Sequence, residues 1–328
     1  IITIAPDSDL DQWRLVQVTF GSGFQDTVGN VAGGTTVTFQ TRDITSPGIE
    51  SDSLDPANTA IFFTCSEGMY TNNDESGGLT VADFEITNYD PNVEPAGTIT
   101  INSLTSFSGI PLLGDETDIR INISTANTAS GSETFSIGPV EGQVFDQGGN
   151  VLDPAANTQS FTLYDLLSPS LEIASSPAVQ DGLIYPQADF VLTYSEPVRN
   201  SGGAAPSVED LSANTTFIYQ DGGQEAIAFT GSINAQNTII TINPDSLMDQ
   251  WRLVQVTFAP DFLDTAGNVA GGATATFQTR DQIAPAIEGD SLDPANTAIF
   301  FTSSEGLYTD ITEYDGDTPV MGTGGLIV

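Results

Sequence analysis

Along most of the chain, apolar and polar positions alternate with a period of two. Phe190, Leu192 and Tyr194 fall on one face of an extended segment, with Val191, Thr193 and Ser195 on the other. Val254, Val256 and Phe258 alternate in the same way with Leu253, Gln255 and Thr257. This is the signature of half-buried strands. In the stretch 166–281 it predicts seven of them: Leu171–Ala174, Asp189–Glu196, Thr216–Tyr219, Glu225–Ser232, Thr238–Ile242, Trp251–Phe258 and Ala273–Thr279. Gly, Pro, Asn and Asp cluster between the runs, where turns need them. No segment carries a convincing helical period, so the expected class is all-β.

The pattern also repeats. Ile1–Asp43 recurs almost unchanged as Ile239–Asp281, and Ile49–Tyr70 recurs as Ile287–Tyr308 at the same offset of 238 residues. A shorter period lies inside the long one. The string Asp-x-x-Gly-Asn occurs at Asp26–Asn30, Asp146–Asn150 and Asp264–Asn268, in steps of 120 and 118 residues. Each copy is followed by an alternating segment ending in Phe-x-x-x-Asp and then Pro: Phe39-Asp43-Pro47, Phe161-Asp165-Pro169 and Phe277-Asp281-Pro285. Each Pro is followed by an apolar run closing on Ser-Glu, at Glu67, Glu196 and Glu305. Seven short strands per period predict tandem immunoglobulin-like β-sandwich modules arranged end to end. The divisions fall at 1–43 (a C-terminal half module), 44–165, 166–281 and 282–328 (an N-terminal half). Short linkers are expected at Asp43–Pro47, Asp165–Pro169 and Asp281–Pro285.

The module 44–165 carries extra sequence at Thr71–Asn92, polar and turn-rich around a strand-like core at Phe84–Ile86. It reads either as a variable surface loop or as a lateral contact. The chain opens on Ile1 in mid-module, which reads as a window on a longer polypeptide. On that reading the half modules are completed by the continuing chain or by a neighbouring subunit.

Three segments together, TYSEPV (193–198), DTAGN (264–268) and TFQTRD (276–281), resemble the bacterial Ig-like domain of S-layer and giant surface proteins. The resemblance extends over the whole chain, although Ser-Glu-Gly replaces Ser-Glu-Pro at 66–68 and 304–306. It implies an extracellular, load-bearing or spacer role in a long array, and no catalysis.

Composition narrows the possibilities. Acidic residues number 44 against 6 basic ones, for a net charge of −38. All six are Arg, and the chain has neither Lys nor His. Nucleic acid and anionic membrane surfaces require a basic footprint that is missing here. No apolar run reaches the ~20 residues that span a bilayer. Without His the usual general base and zinc ligand is lacking. Carboxylate pairs are plentiful because the chain is acidic, so they do not by themselves make a glycosidase. The lone Cys65 aligns with Ser303 and Tyr194 and reads as a small packed side chain on a strand.

One constellation carries chemistry. If strands alternate in direction through each sandwich, Glu196, Asp264 and Asn268 lie at the end where the chain enters from Asp165. Asp43, Glu67, Asp146 and Asn150 form the equivalent set one module earlier, and Asp281 with Glu305 begins a third. Hard cations take oxygen ligands of this kind, so Ca²⁺ at module junctions is one reading. In the other, the Asp bonds its own turn amides and Gly-Asn supplies left-handed positions. A second acidic loop, Asp7–Asp11 with its copy Asp245–Asp249, lacks the Gly and spacing of an EF-hand and reads as a capped turn. The functional expectation is a structural segment of an extracellular surface protein, forming a fibre, sheath or S-layer-like coat. Its partners would be copies of itself or adjacent repeats, with no nucleic acid and no direct membrane insertion. The alternative is the stalk of an adhesin whose binding domain lies elsewhere.

Overall fold

The computed structural model describes residues 1–295 and 299–304. The chain forms two compact units, residues 1–168 with 266–268, and residues 169–265 with those from 269 onward. Strands dominate both, as alternation predicts.

The first unit opens with a hairpin, β1 (Leu15–Phe20) and β2 (Thr35–Gln40). Seven further strands follow: β3 (Ile49–Leu54), β4 (Ala60–Met69), β5 (Phe84–Thr87), β6 (Ile99–Thr105), β7 (Glu116–Thr125), β8 (Thr134–Pro139) and β9 (Gln159–Thr162). They form two sheets, in the orders β3-β4-β7-β6 and β5-β8-β9. Every pairing is antiparallel. Ile61, Phe63, Ile119 and Ile121 of the first sheet meet Phe84, Phe135 and Ile137 of the second in one core. Phe63 lies 6.0 Å from Phe84 and 6.5 Å from Phe161, ring to ring, so aromatic packing ties the layers. Cys65 is buried in the same core, and burial pushes its thiol up to about 12.

The segment 71–92 is more than a surface loop. Its strand β5 pairs with β8, and Phe84 is buried in the core. A single 3-10 turn, Val81–Asp83, leads into it, fastened by reciprocal capping bonds between Thr80 and Asp83. Ahead of that turn, Asn72 and Ser76 pair across a small polar loop.

The second unit contains β10 (Leu171–Ser176), β11 (Leu183–Ile184), β12 (Asp189–Tyr194), β13 (Thr215–Tyr219), β14 (Phe229–Ile233), β15 (Ile239–Pro244), β16 (Leu253–Phe258) and β17 (Ala273–Thr279). Its sheets run β10-β12-β15-β14 and β11-β17-β16-β13. All seven predicted strands are present. The eighth, β11, is two residues long and pairs parallel with β17, too short to leave a periodic signal. Two short helices were also unanticipated, α1 (Pro154–Asn157) in the first unit and α2 (Val208–Asn214) in the second. The sequence does mark α2: Ser207 caps it and Asp210 bonds back to the cap, a capping box. The strand expected to begin at Trp251 begins at Leu253, because Trp251 takes a left-handed turn conformation with φ 56°. Trp13, its copy, does the same with φ 53°.

A final hairpin, β18 (Ile287–Leu292) with β19 (Ile299–Ser303), copies β3–β4 down to the irregular step in its register. The β1–β2 pair likewise copies the register of β16–β17. No helix among the described residues is long and apolar enough to cross a membrane.

Candidate metal centre

The Asp-x-x-Gly-Asn string folds the same way at Asp26 and at Asp146. At Asp146 the backbone closes through Asp146 N to Asn150 O (3.0 Å) and Gly149 N to Asp146 O (3.2 Å). The Asn150 backbone N–H donates to Asp146 Oδ1 at 2.8 Å, and Asn150 Nδ2 donates to Oδ2 at 2.8 Å. Gly149 sits at φ 79°, which favours glycine. Gly148 is required for a different reason. A Cβ there would lie 2.8 Å from Asp43 Cβ and 2.8 Å from Asn150 Nδ2. The same clasp recurs at Asp26, with Asn30 N and Nδ2 donating at 2.9 and 2.7 Å. Turn chemistry is therefore a sufficient account of the motif's shape, although only its Gly takes the left-handed position.

The clasp at Asp146 differs from that at Asp26 in its surroundings. Asp26 is exposed, and its bonds from Asn30 hold its carboxyl below the usual range. Asp146 is fully buried, and Asp43 is nearly so. Carboxylate oxygens of Asp43, Glu67 and Asp146 all lie within 4.8 Å of one another. Long-range contacts assemble the group. Backbone bonds between Tyr70 and Phe145, at 2.7 and 2.9 Å, draw the end of β4 onto the start of the 146–150 turn. Asn150 Nδ2 also reaches Thr45 O at 3.1 Å, fastening the turn to the Asp43 segment. Asp43 is itself oriented twice: the Thr45 N–H donates to Oδ1 at 2.9 Å and the Trp13 indole N–H to Oδ2 at 3.1 Å.

No ion pair among the described residues engages these three carboxylates. Burial, then the charges of Asp146 and Asp43, then a hydrogen bond with Asp43, push the Glu67 carboxyl up to about 7. Three carboxylates this close repel one another, and a proton or a cation between them would relieve that repulsion. The donor set suits a hard divalent ion. Oxygens bound to one Ca²⁺ at ~2.3–2.6 Å can be no more than ~5 Å apart, and these satisfy that limit. Asn150 takes a different part, since its amide nitrogen clasps Asp146 and the backbone. A polar cleft of about 350 Å³ opens beside Asp43, with Trp13, Arg42, Asn73, Glu75 and Gln147 in its walls.

The remaining predicted residues follow the same local rules. Asp165 caps its turn as Asp43 does, with Leu167 N donating to Oδ1 at 3.0 Å, and Asp281 accepts from Ile283 N at 2.9 Å. Asn268 Nδ2 donates to Asp165 O at 3.2 Å within the first unit. In the second unit, Glu196 follows β12, and Asp264 is buried beside the Leu263–Val269 bridge. Glu305 lies outside the described residues. The acidic loop at Asp7–Asp11 and its copy turn out alike: Thr41 Oγ1 donates to Asp11 O at 2.7 Å, and Thr279 Oγ1 to Asp249 O at 2.6 Å. Sequence reasoning missed Trp13, whose value as a repeat marker hid its indole donor. It also missed Glu133, a fully buried carboxylate accepting from Ala96 N and Ser130 N at 3.0 Å.

No protein-family model and no curated protein matches the chain. Among solved structures, the chain is similar to the crystal structure of the N-terminal part of the bacterial S-layer protein SbsC. The TM-score is 0.26 at 16% identity, covering 44% of this chain and 36% of that one. A likeness at this distance assigns no family.

Proposed function

We propose that this chain is a structural repeat segment of a large extracellular surface protein, built from tandem immunoglobulin-like modules, and that it forms part of a fibre, sheath or S-layer-like coat. The observation that carries the reading is duplication at the level of register. β1–β2 repeats the pairing of β16–β17, and β18–β19 repeats that of β3–β4 with its irregularity. Such repetition builds length and surface. A net charge of −38 with no Lys or His suits salty, extracellular water. The reading assigns the chain no reaction.

Ca²⁺ is the proposed counter-ion. It would be held by Asp43, Glu67 and Asp146, with Asn150 and Trp13 fixing two of those carboxylates. When bound, the ion supplies the positive charge that the surrounding side chains do not. The sequence repeat assigns the same part to Asp165, Glu196, Asp264 and Asn268, and to Asp281 with Glu305. A ligand that binds only the folded state raises stability with its concentration, so Ca²⁺ should raise the melting temperature and EDTA should reverse the rise. Electron microscopy of the native material tests the assembly. Ordered fibres, sheaths or coats are expected, and solitary extended stalks would point to the adhesin reading instead.

A further inference from the structure

Trp13 is 39% exposed, yet its indole is fixed in place, because the ring N–H donates to Asp43 Oδ2 at 3.1 Å. Its backbone is held at φ 53°, a conformation that a bulky residue keeps only where the surrounding structure imposes it. The exposure belongs to the fold and not to the ends of the chain. Trp251, the copy, lies in a module whose strands are all present and is 52% exposed, whereas Trp13 lies against the complete module 44–165. Neither neighbourhood buries the ring. Aromatic side chains ordinarily bury a large apolar surface, so an indole held rigid and open to solvent is a platform for a ligand.

Three segments build a cleft of about 350 Å³ around that ring. Residues 40–43 supply Arg42 and Asp43, and the 146–150 turn supplies Gln147. The third wall comes from the extra sequence of module 44–165. Asn72 pairs with Ser76, and the small loop so closed brings Asn73 and Glu75 to the cleft. This loop is seated firmly: Thr71 N donates to Gly77 O at 3.1 Å, and the Asn73 carbonyl oxygen lies 3.1 Å from where a Cβ on Gly149 would stand. Gly148 leaves the cleft open at a place where the other two copies of the string carry Val28 and Ala266. No ion pair among the described residues engages Arg42 or Glu75, in a chain with 44 acidic residues and 6 Arg.

A flat apolar ring flanked by amide, guanidinium and carboxylate groups suits a sugar. The C–H face of a pyranose stacks on an aromatic plane, while its hydroxyls both donate and accept hydrogen bonds. Asn73 and Gln147 can do both, Arg42 donates and Glu75 accepts. A net charge of −38 repels uronates, sulfated sugars and phosphate-bearing polymers. We propose that this cleft binds a neutral oligosaccharide, with one pyranose ring against the Trp13 indole and its hydroxyls on Asn73, Gln147, Arg42 and Glu75. The segment then has a ligand of its own, beyond its structural role. A single shallow site binds weakly, and repetition of the site along an array of modules raises the overall strength through avidity.

The test uses the full chain carrying Trp251→Phe, which leaves Trp13 as its sole tryptophan. Maltohexaose, cellohexaose and chitohexaose, each titrated to millimolar concentration, are the probes. At least one should quench or blue-shift the Trp13 emission along a saturable curve, with calorimetric titration giving the same affinity. Trp13→Ala should weaken that affinity by ~10-fold or more, as loss of an aromatic anchor does. Because Trp13 also orients Asp43, the other walls provide a second arm. Asn73→Ala and Gln147→Ala, both at exposed positions, should each weaken binding severalfold with the melting temperature unchanged. No saturable response to any of the three sugars overturns the proposal, and so does an affinity that Trp13→Ala and Gln147→Ala leave unaltered. Neither result touches the array reading, which rests on repeated strand register.

Discussion

Replacing Glu67 with Gln keeps the shape of the side chain and removes one of three crowded charges. Glu67 has its carboxyl raised from 4.5 to about 7 by burial, by Asp146 and Asp43, and by its hydrogen bond to Asp43. A folded-state value above the unfolded one means that the folded protein keeps a proton the unfolded chain releases. The resulting stabilisation is complete below about pH 4.5 and is lost as pH rises through about 7. A rise of that size corresponds to ~3 kcal/mol at a fully buried site, and screening at this partly exposed position reduces it to ~1–2 kcal/mol. In EDTA at pH 8, Glu67→Gln should therefore be more stable than the parent by ~1–2 kcal/mol. The advantage should shrink towards pH 5. Saturating Ca²⁺ should reverse the order, because the parent then has a charged ligand where the variant offers a neutral amide. Scanning calorimetry on the full chain measures both arms, with the transition of the second unit as an internal reference, since a chain of two units need not melt as one. A variant that is less stable than the parent in EDTA at pH 8 would refute the repulsion argument. An order unchanged by Ca²⁺ would refute the ion.

Other outcomes can be checked with the same protein. Phe63→Ala should cost ~3–5 kcal/mol by denaturant unfolding of the first unit. Phe301→Ala, at the same repeat position, should leave monomer stability almost unchanged because Phe301 is exposed. Gly148→Ala should cost ~1–3 kcal/mol by the same assay, as its methyl group would meet Asp43 and Asn150 at 2.8 Å. Cys65, raised to about 12, should resist thiol reagents at pH 8 in the native state and react once the chain is unfolded.

Local rules operate the same way in every copy, and that is why much of this protein was legible from its sequence. Alternation located the seven strands between Leu171 and Thr279, and the Asp-x-x-Gly-Asn string located a turn that closes alike at Asp26 and Asp146. Both depend on contacts between residues a few positions apart. Other features were not legible because distant segments decide them. β11 exists only because β17 lies beside it, and the segment 71–92 yields a core strand because β8 offers Phe84 a partner. The clearest case is the Asp-x-x-Gly-Asn turn itself. At Asp26 it faces water, whereas at Asp146 the pairing of Tyr70 with Phe145 and the reach of Asn150 to Thr45 enclose it beside Glu67 and Asp43. The turn is written in five residues. Whether its carboxylate has companions, and so a use for a cation, depends on burial and charge proximity across more than a hundred residues of chain, which only the tertiary structure decides.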